Sequence, residues 1–146
     1  MSTGESAAID IVVASTGDIE AVQTIDGRVL GRTERRAFLS QSVERGECLV
    51  ARRQGEIAGF AVVDRSFYDQ RFVALLIVDP EFQRQRIGSA LMRAVEARYS
   101  GEKLFTSTNA SNLKMQALCE WLGYVRSGYI ENMDEGDPEI IYFKQL

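Results

Sequence analysis

The stretch "VDPEFQRQRIGSALM" (residues 78–92) decides how the rest of the chain is read. An apolar run feeds into it, and Pro80 stops that run. Ile87, Ala90, Leu91, Ala94 and Val95 then recur at i, i+3, i+4, i+7 and i+8, the spacing of one buried helical face. The stretch is a strand, a short loop and the start of a helix. Between Phe82 and Val95 the charged residues are Arg84, Arg86 and Arg93, with no carboxylate. A helix N-terminus carries the positive pole of the dipole and disfavours cations, by roughly a few tenths of a kcal/mol. A bound polyanion reverses that sign, because free amides and the dipole together hold phosphate. Gly88 lets a ligand come close to the backbone. The P-loop pattern GxxxxGK[ST] and the dinucleotide pattern GxGxxG are both missing. A plain surface arginine pair at a helix start accounts for the same residues, so both readings stay open here.

Working outward, "RFVALLIVDP" (residues 71–80) is a continuous apolar run and reads as a central strand buried on both faces. Before it, "CLVARRQGEIAGFAVVD" (residues 48–64) has apolar runs on both sides of a turn centred on Gly55, a hairpin signal. Further upstream, "IDIVVAS" reads as a first strand, and helices are expected over residues 15–26 and 33–45, the second stopped by Gly46. Residues 1–8 read as a loose end. Downstream, the helix over residues 87–99 is followed by a strand, "KLFTSTN", and by a helix over residues 112–122 stopped by Gly123. "YVRSGYIE" and "EIIYFKQL" close the chain as two strands. This order predicts a single α/β domain over residues 1–146, in three layers with a mixed sheet.

Composition narrows the function. A chain of 146 residues suits one domain with a proper core. At 45% apolar and 26% charged it is globular rather than disordered. A net charge of −4 and no long basic face argue against nucleic acid as a partner. No apolar run nears the roughly 20 residues that span a bilayer, so no membrane partner is expected. The N-terminus lacks the basic and apolar regions of a signal peptide. Two cysteines are too few for a disulfide scaffold, which points to a reducing cytoplasm. There is no histidine, which removes Ser-His and Cys-His nucleophiles and histidine metal sites. No metal is expected.

The same stretch resembles the acetyl-CoA motif of the GCN5-related N-acetyltransferase (GNAT) superfamily. That motif is a strand ending in Val-x-Pro, then [Gln/Arg]-x-x-Gly-x-[Gly/Ala] opening a helix, and Val78, Pro80, Gln83 and Gly88 match it. "TNASNLKMQALCEWLGYVRSG" is similar to the family's Asn-x-x-Ala-x-x-x-Tyr-x-x-x-Gly-Phe, with Asn112 and Gly123-Tyr124 in place. The hairpin also looks like the family's strand pair. The resemblance covers about residues 9–145. Two positions depart from it. Arg86 stands where the first motif glycine usually sits, and Cys119 stands where a tyrosine often acts as general acid.

The resemblance implies a three-layer α-β-α fold with a mixed, mostly antiparallel sheet of about seven strands, splayed at its centre. It implies that Leu76, Ile77 and Val78 bind the pantetheine arm of CoA. It puts the pyrophosphate on Gln83, Arg84, Gln85, Arg86, Ile87, Gly88 and Ser89, with Asn112 contacting the pantetheine. The implied reaction is direct transfer of an acetyl group from acetyl-CoA to an amine, and a homodimer is common in the family.

Such a transfer needs the amine to lose a proton. Without histidine, carboxylates or water ordered by them are the base, with Asp64, Glu131 and the loop acids after it as candidates. A central-strand N–H, such as that of Val78, suits the thioester oxyanion. Met115, Leu118, Cys119 and Leu122 fall at i, i+3, i+4 and i+7. Cys119 is therefore either a small hydrophobe in an apolar stripe or a proton donor to the CoA sulfur. "ENMDEGDPE" (residues 131–139) carries five acids in nine residues. It is a solvated loop or, through Asp134 and Glu135, a lure for a cationic amine. Tyr68 and Phe38 are candidate walls of the acceptor pocket. The reading is an acetyl-CoA-dependent N-acetyltransferase acting on a small-molecule or peptide amine. The alternatives are a transferase for another acyl-CoA and a non-catalytic acyl-CoA-binding module.

Overall fold

The computed structural model describes residues 8–146. The expected loose end over residues 1–8 lies, but for Ala8, outside them. Among the described residues the strands form one mixed seven-stranded sheet of order β1-β2-β3-β4-β5-β7-β6, and four α-helices complete an α/β fold. Contacts divide the chain into two compact units. One takes the described residues up to Val62 together with Leu75–Ala94, and the other takes Val63–Ala74 and Val95–Leu146.

The first unit holds β1 (Ile9–Val13), α1 (Ile19–Leu30), α2 (Arg36–Glu44), β2 (Cys48–Arg53), most of β3 (Glu56–Phe67), the end of β4 (Gln70–Val78) and the start of α3 (Ile87–Arg98). β1 and β2 pair antiparallel from Ile9↔Arg53 to Val13↔Leu49. Val22, Leu39, Val50, Phe60, Val62, Ile87, Leu91 and Met92 are buried and make the core. The two helices depart from their expected bounds. The first runs four residues past Asp26, because Gly27 is tolerated inside it and the left-handed stop is Gly31, at φ 78°. The second starts at Arg36, after a turn in which the Arg36 N–H donates to the Thr33 carbonyl at 3.3 Å.

β2 and β3 turn at Gln54 and Gly55, both left-handed, at φ 53° and 79°. Their register runs from Ala51↔Gly59 to Arg52↔Ile57, which leaves Ala58 unpaired as a β-bulge. The bulge frees the Ala58 carbonyl to accept from the Asp79 N–H at 2.8 Å.

The second unit holds the rest of β3, β4 and α3, with β5 (Lys103–Asn109), α4 (Leu113–Trp121), β6 (Val125–Ile130) and β7 (Glu139–Gln145). β4 runs parallel to β5 from Arg71↔Leu104 to Val73↔Thr106. β5 and β7 pair antiparallel along their whole length, and β6 adds to β7. Phe67, Phe72, Phe105 and Phe143 meet in sequence on β3, β4, β5 and β7, with centroids 5.3, 5.4 and 5.2 Å apart. A polar network ties α3 to β7: Tyr124 donates to Glu96 at 2.8 Å, and the Lys144 ammonium donates to Glu96 and to the Leu122 carbonyl.

β4 corrects one expectation. Of its nine residues only Val73 is buried, and the others are half-buried or exposed. An unbroken apolar run records composition; it does not record which faces are covered. Among the described residues no helix is long and apolar enough to cross a membrane, and no group of residues could hold a metal ion.

One partly buried ion pair sets an acid limit on stability. The Asp18 carboxylate accepts from the Ser15 N–H at 2.9 Å and from the Arg52 guanidinium at 2.7 Å. Burial raises its pKa, but the Ser15 amide and Arg52 more than offset this, leaving it below 3.8. A carboxyl depressed in the folded state stabilises above the unfolded pKa, and that contribution is lost as pH falls through the folded value. Asp18→Asn should therefore cost about 1–3 kcal/mol at neutral pH and flatten the fall in stability below about pH 4, read by urea unfolding against pH. Equal stability of the two proteins at neutral pH would show the pair to be idle.

Candidate functional site

The strand–loop–helix corner is built inside the first unit. Asp79 follows β4, and only 4% of it is exposed. Its carboxylate accepts from the Glu81 N–H at 3.0 Å, capping a short 3-10 turn (Pro80–Phe82). The other oxygen takes the Arg28 guanidinium of α1 at 2.8 Å. Arg84 and Arg86 follow at φ 62° and 63°, both left-handed. Ile87, 1% exposed, pins the first residue of α3 into the core. The Arg86 carbonyl accepts from the Ala90 N–H and the Ser89 hydroxyl, both at 3.1 Å. Two left-handed residues just ahead of a helix N-terminus curl the backbone into a form that presents amides to an anion. For residues with a Cβ that conformation costs roughly 1–2 kcal/mol each, and such strain gathers at ligand clamps.

Beside the loop lies a cleft of about 400 Å³ lined by Arg53, Arg84, Gln85 and Arg86. Arg52 turns to Asp18, so its neighbour Arg53 leaves the opposite face of β2. A larger cavity of about 550 Å³ runs along α1 and the β2–β3 turn, with Asp18, Arg28, Arg52 and Asp79 in its wall.

Gly59 holds the corner together. A Cβ there would lie 2.7 Å from the Ile77 carbonyl oxygen, 3.1 Å from the Ile87 side chain and 3.3 Å from the Val78 Cα. An isolated glycine inside an apolar strand is the sequence signal for such an approach. Arg28 and Arg53 gave no signal, because what they face is far away in sequence. The left-handed state of Arg84 gave none either, since only glycine announces it.

The remaining candidates are spread over both units. Leu76, Ile77 and Val78 are half-buried at the end of β4, and Phe38 is exposed on α2. Tyr68 sits at the tip of the β3–β4 turn, 84% exposed and edge-on to Phe67. Asp64 is already engaged: one of its oxygens accepts from the Ser66 N–H at 3.0 Å and from the Ser66 hydroxyl at 2.6 Å. The Asn112 side chain caps α4, its carbonyl accepting from the Met115 N–H at 3.1 Å, which leaves its amide group as the free donor. In the acidic loop, Asp134 accepts from the Asn109 amide at 2.8 Å. Asp137 accepts from both the N–H and the hydroxyl of Ser111. The loop is thus pinned to the β5–α4 turn, while Glu131 and Glu135 stay exposed.

Cys119 is fully buried, and its thiol is pushed up to about 12, first by burial and then by Glu120. Cys48 is equally sealed, its thiol also raised to about 12, by burial and then by Asp18. Neither thiol should react with an aromatic disulfide reagent in the native protein at mildly alkaline pH, and both should react once it unfolds. Fast native labelling of Cys119 that acetyl-CoA prevents would contradict this burial and return the thiol to the site.

Acetyl-CoA carries its acetyl group as an activated thioester and its charge as phosphates. Loop amides and arginines without carboxylates are the donor set that phosphates need. The comparisons agree with this chemistry. A family model described as the acetyltransferase (GNAT) domain matches residues 44–126. A GNAT-family acetyltransferase from Bacillus cereus ATCC 10987 is 35% identical, with a TM-score of 0.88 over 94% of this chain and 97% of that one. The ribosomal-protein-S18-alanine N-acetyltransferase of Escherichia coli is 25% identical, with a TM-score of 0.78 over 94% of each chain. The protein yncA from Salmonella typhimurium, solved with its cofactor acetyl-CoA, shares the fold at 19% identity, with a TM-score of 0.75 over 95% of this chain and 94% of that one. No curated protein sequence matches the chain. The chain belongs to the GNAT acetyltransferase family, whose members carry out acetyl-CoA-dependent acetyl transfer.

Proposed function

We propose that the chain is an N-acetyltransferase that moves the acetyl group of acetyl-CoA directly to a primary amine of a small molecule or peptide. The observation that carries this is the β4–α3 corner. Two left-handed arginines stand ahead of a helix N-terminus, and among the described residues no carboxylate forms an ion pair with either. The Escherichia coli neighbour acts on an alanine of ribosomal protein S18, by its name, and this supports a peptide amine as acceptor. The pantetheine arm runs along Leu76, Ile77 and Val78.

Proton removal falls to a carboxylate or to a water that it holds. Glu131 accepts no hydrogen bond among the described residues, whereas Asp64 is occupied by Ser66. Glu131 is therefore the better candidate base, and Asp134 and Glu135 add the field that draws in a cation. Cys119 packs the α4 stripe. Two free, buried cysteines suit a reducing cytoplasm.

The sealed Cys119, at the position where the family often keeps a catalytic tyrosine, favours one second reading: an acyl-CoA-binding module without turnover. Two measurements separate the readings. Acetyl-CoA should raise the melting temperature, and CoA should be released when peptide and small amines are supplied. A shift with no turnover on any amine would establish the binding module, and no shift would overturn the acetyl-CoA reading.

The arginines give a second test. Arg86→Gly should raise stability by about 1 kcal/mol through relief of the left-handed strain, yet weaken acetyl-CoA binding severalfold. Arg84→Gly should do the same. Equal or tighter binding in the glycine variants would show that the arginines are merely tolerated.

A further inference from the structure

Gln116 is a polar residue that α4 carries inward. It stands beside the stripe of Met115, Leu118, Cys119 and Leu122. Glutamine is ordinarily a surface residue, yet only 8% of this one is exposed. Its side-chain amide is engaged at both ends. The Nε2 group donates to the Ala110 carbonyl at 2.6 Å and to the Asn109 carbonyl at 3.3 Å. The Oε1 atom accepts from the Arg126 guanidinium at 3.1 Å. Carbonyls only accept and a guanidinium only donates, so these partners fix the amide in one orientation. Burying an amide carries a cost that an apolar residue of the same length would avoid. What this amide holds is two segments that meet at the acidic loop.

The first segment is the β5–α4 turn, which clamps the far part of that loop. The Asn109 amide donates to Asp134 at 2.8 Å, and the Ala110 N–H donates to the Pro138 carbonyl at 2.8 Å. The Ser111 N–H and hydroxyl both donate to Asp137. The second segment is β6, held through Arg126, and β6 leads into the near end of the loop at Ile130. Along the chain Glu131 falls between these two anchored points, and one side chain ties both. All of these residues belong to the second unit. We infer that Gln116 is a positioning residue for the acceptor side: with Arg126 it fixes the acidic loop, so that the loop's carboxylates stand where they draw in and deprotonate the amine. Its effect falls on the acceptor and not on acetyl-CoA. This inference rests on the N-acetyltransferase reading above. A misplacement of about 1 Å in a reacting group can cost about 100-fold in rate, so a loop held at only one end is a poor place for a base.

The test uses the full chain with Gln116→Met, which keeps the length and the apolar packing and removes the hydrogen bonds of the amide. Hydrogen exchange should speed up about tenfold at the amides of Ala110, Ser111 and Asp137 and stay at the wild-type rate in α1 and β2. With an alanine-starting peptide as the amine, kcat/KM should fall about tenfold, while the dissociation constant of acetyl-CoA by calorimetry stays within about twofold. Gln116→Glu keeps the acceptor for Arg126 but sets a carboxylate against two carbonyls, and should give no rescue. Thermal melting checks folding. If Gln116→Met does not fold, Arg126→Met, at an exposed side chain, removes the β6 anchor alone and should lower kcat/KM about threefold with acetyl-CoA affinity unchanged. Wild-type exchange and wild-type kcat/KM in Gln116→Met overturn the inference. An equal loss of acetyl-CoA affinity also overturns it, and makes Gln116 a support of the whole unit. Wild-type protein that binds acetyl-CoA but releases no CoA with the peptide overturns the transfer reading for peptide amines, and the positioning role with it.

Discussion

The missing Cβ of Gly59 is the constraint from which the rest of the site follows. It lets the backbone of β3 come so close to the end of β4 that a methyl group would sit 2.7 Å from the Ile77 carbonyl and 3.1 Å from Ile87. Both ends of the loop are set by this one approach. At one end, the Ala58 bulge hands its carbonyl to the Asp79 N–H, and Asp79 in turn caps the 3-10 turn and holds Arg28. At the other end, Ile87 is locked under β3 as α3 begins. Overpacking a joint of this kind costs about 1–3 kcal/mol, comparable to the left-handed strain of one arginine. The corner is rigid enough to hold a conformation that the arginines would not choose.

That rigidity is why glycine can be replaced. In a looser loop, two arginines at positive φ would relax to the right-handed or extended regions. Here the segment between Asp79 and Ile87 must close a fixed gap, and left-handed residues close it. On the function proposed above the strain is repaid in charge, each guanidinium adding to the phosphate site a contact that glycine cannot make. The trade is sensible only if the ligand is strongly anionic, and acetyl-CoA is.

Much of the architecture was legible because it is local. Period-3.6 stripes marked α3 and α4, the turn at Gly55 marked the hairpin, and the Val-x-Pro ending marked the corner. The misreadings came where distant residues decide. Residues 15–26 suggested a helix ending at Asp26, but Arg35 binds the buried Asp26 carboxylate, and the helix runs on to a left-handed stop at Gly31. The apolar run of β4 suggested two covered faces, and most of that strand is half-buried. In the site, the motif pointed to residues 83–89, but nothing in their order announced Arg28, Arg53 or the left-handed state of Arg84. Those depend on what α1 and β2 bring alongside. Asp64 and Asp134 were chosen as carboxylates by type, and type alone does not reveal that each already accepts a hydrogen bond from a neighbour.

The sealed thiol of Cys119 changes the chemistry less than its position suggests. A thiolate leaving group has a pKa near 8.5, so at neutral pH it departs with little need of an acid. The amine is the harder partner. With a pKa near 10.4, only about one lysine-like amine in a few thousand is neutral at pH 7. For N-acetylation the scarce function is therefore the base, and a protein that buries its acid in a helix stripe can keep turnover if it keeps a carboxylate near the acceptor. The chain has no histidine, so that duty cannot be met by imidazole. On the function proposed above it falls to the acidic loop, which Asn109 and Ser111 hold in place through Asp134 and Asp137. Three of its five acids, Asp134, Asp137 and Glu139, accept hydrogen bonds from Asn109, Ser111 and Ser107, and Glu131 and Glu135 stay exposed.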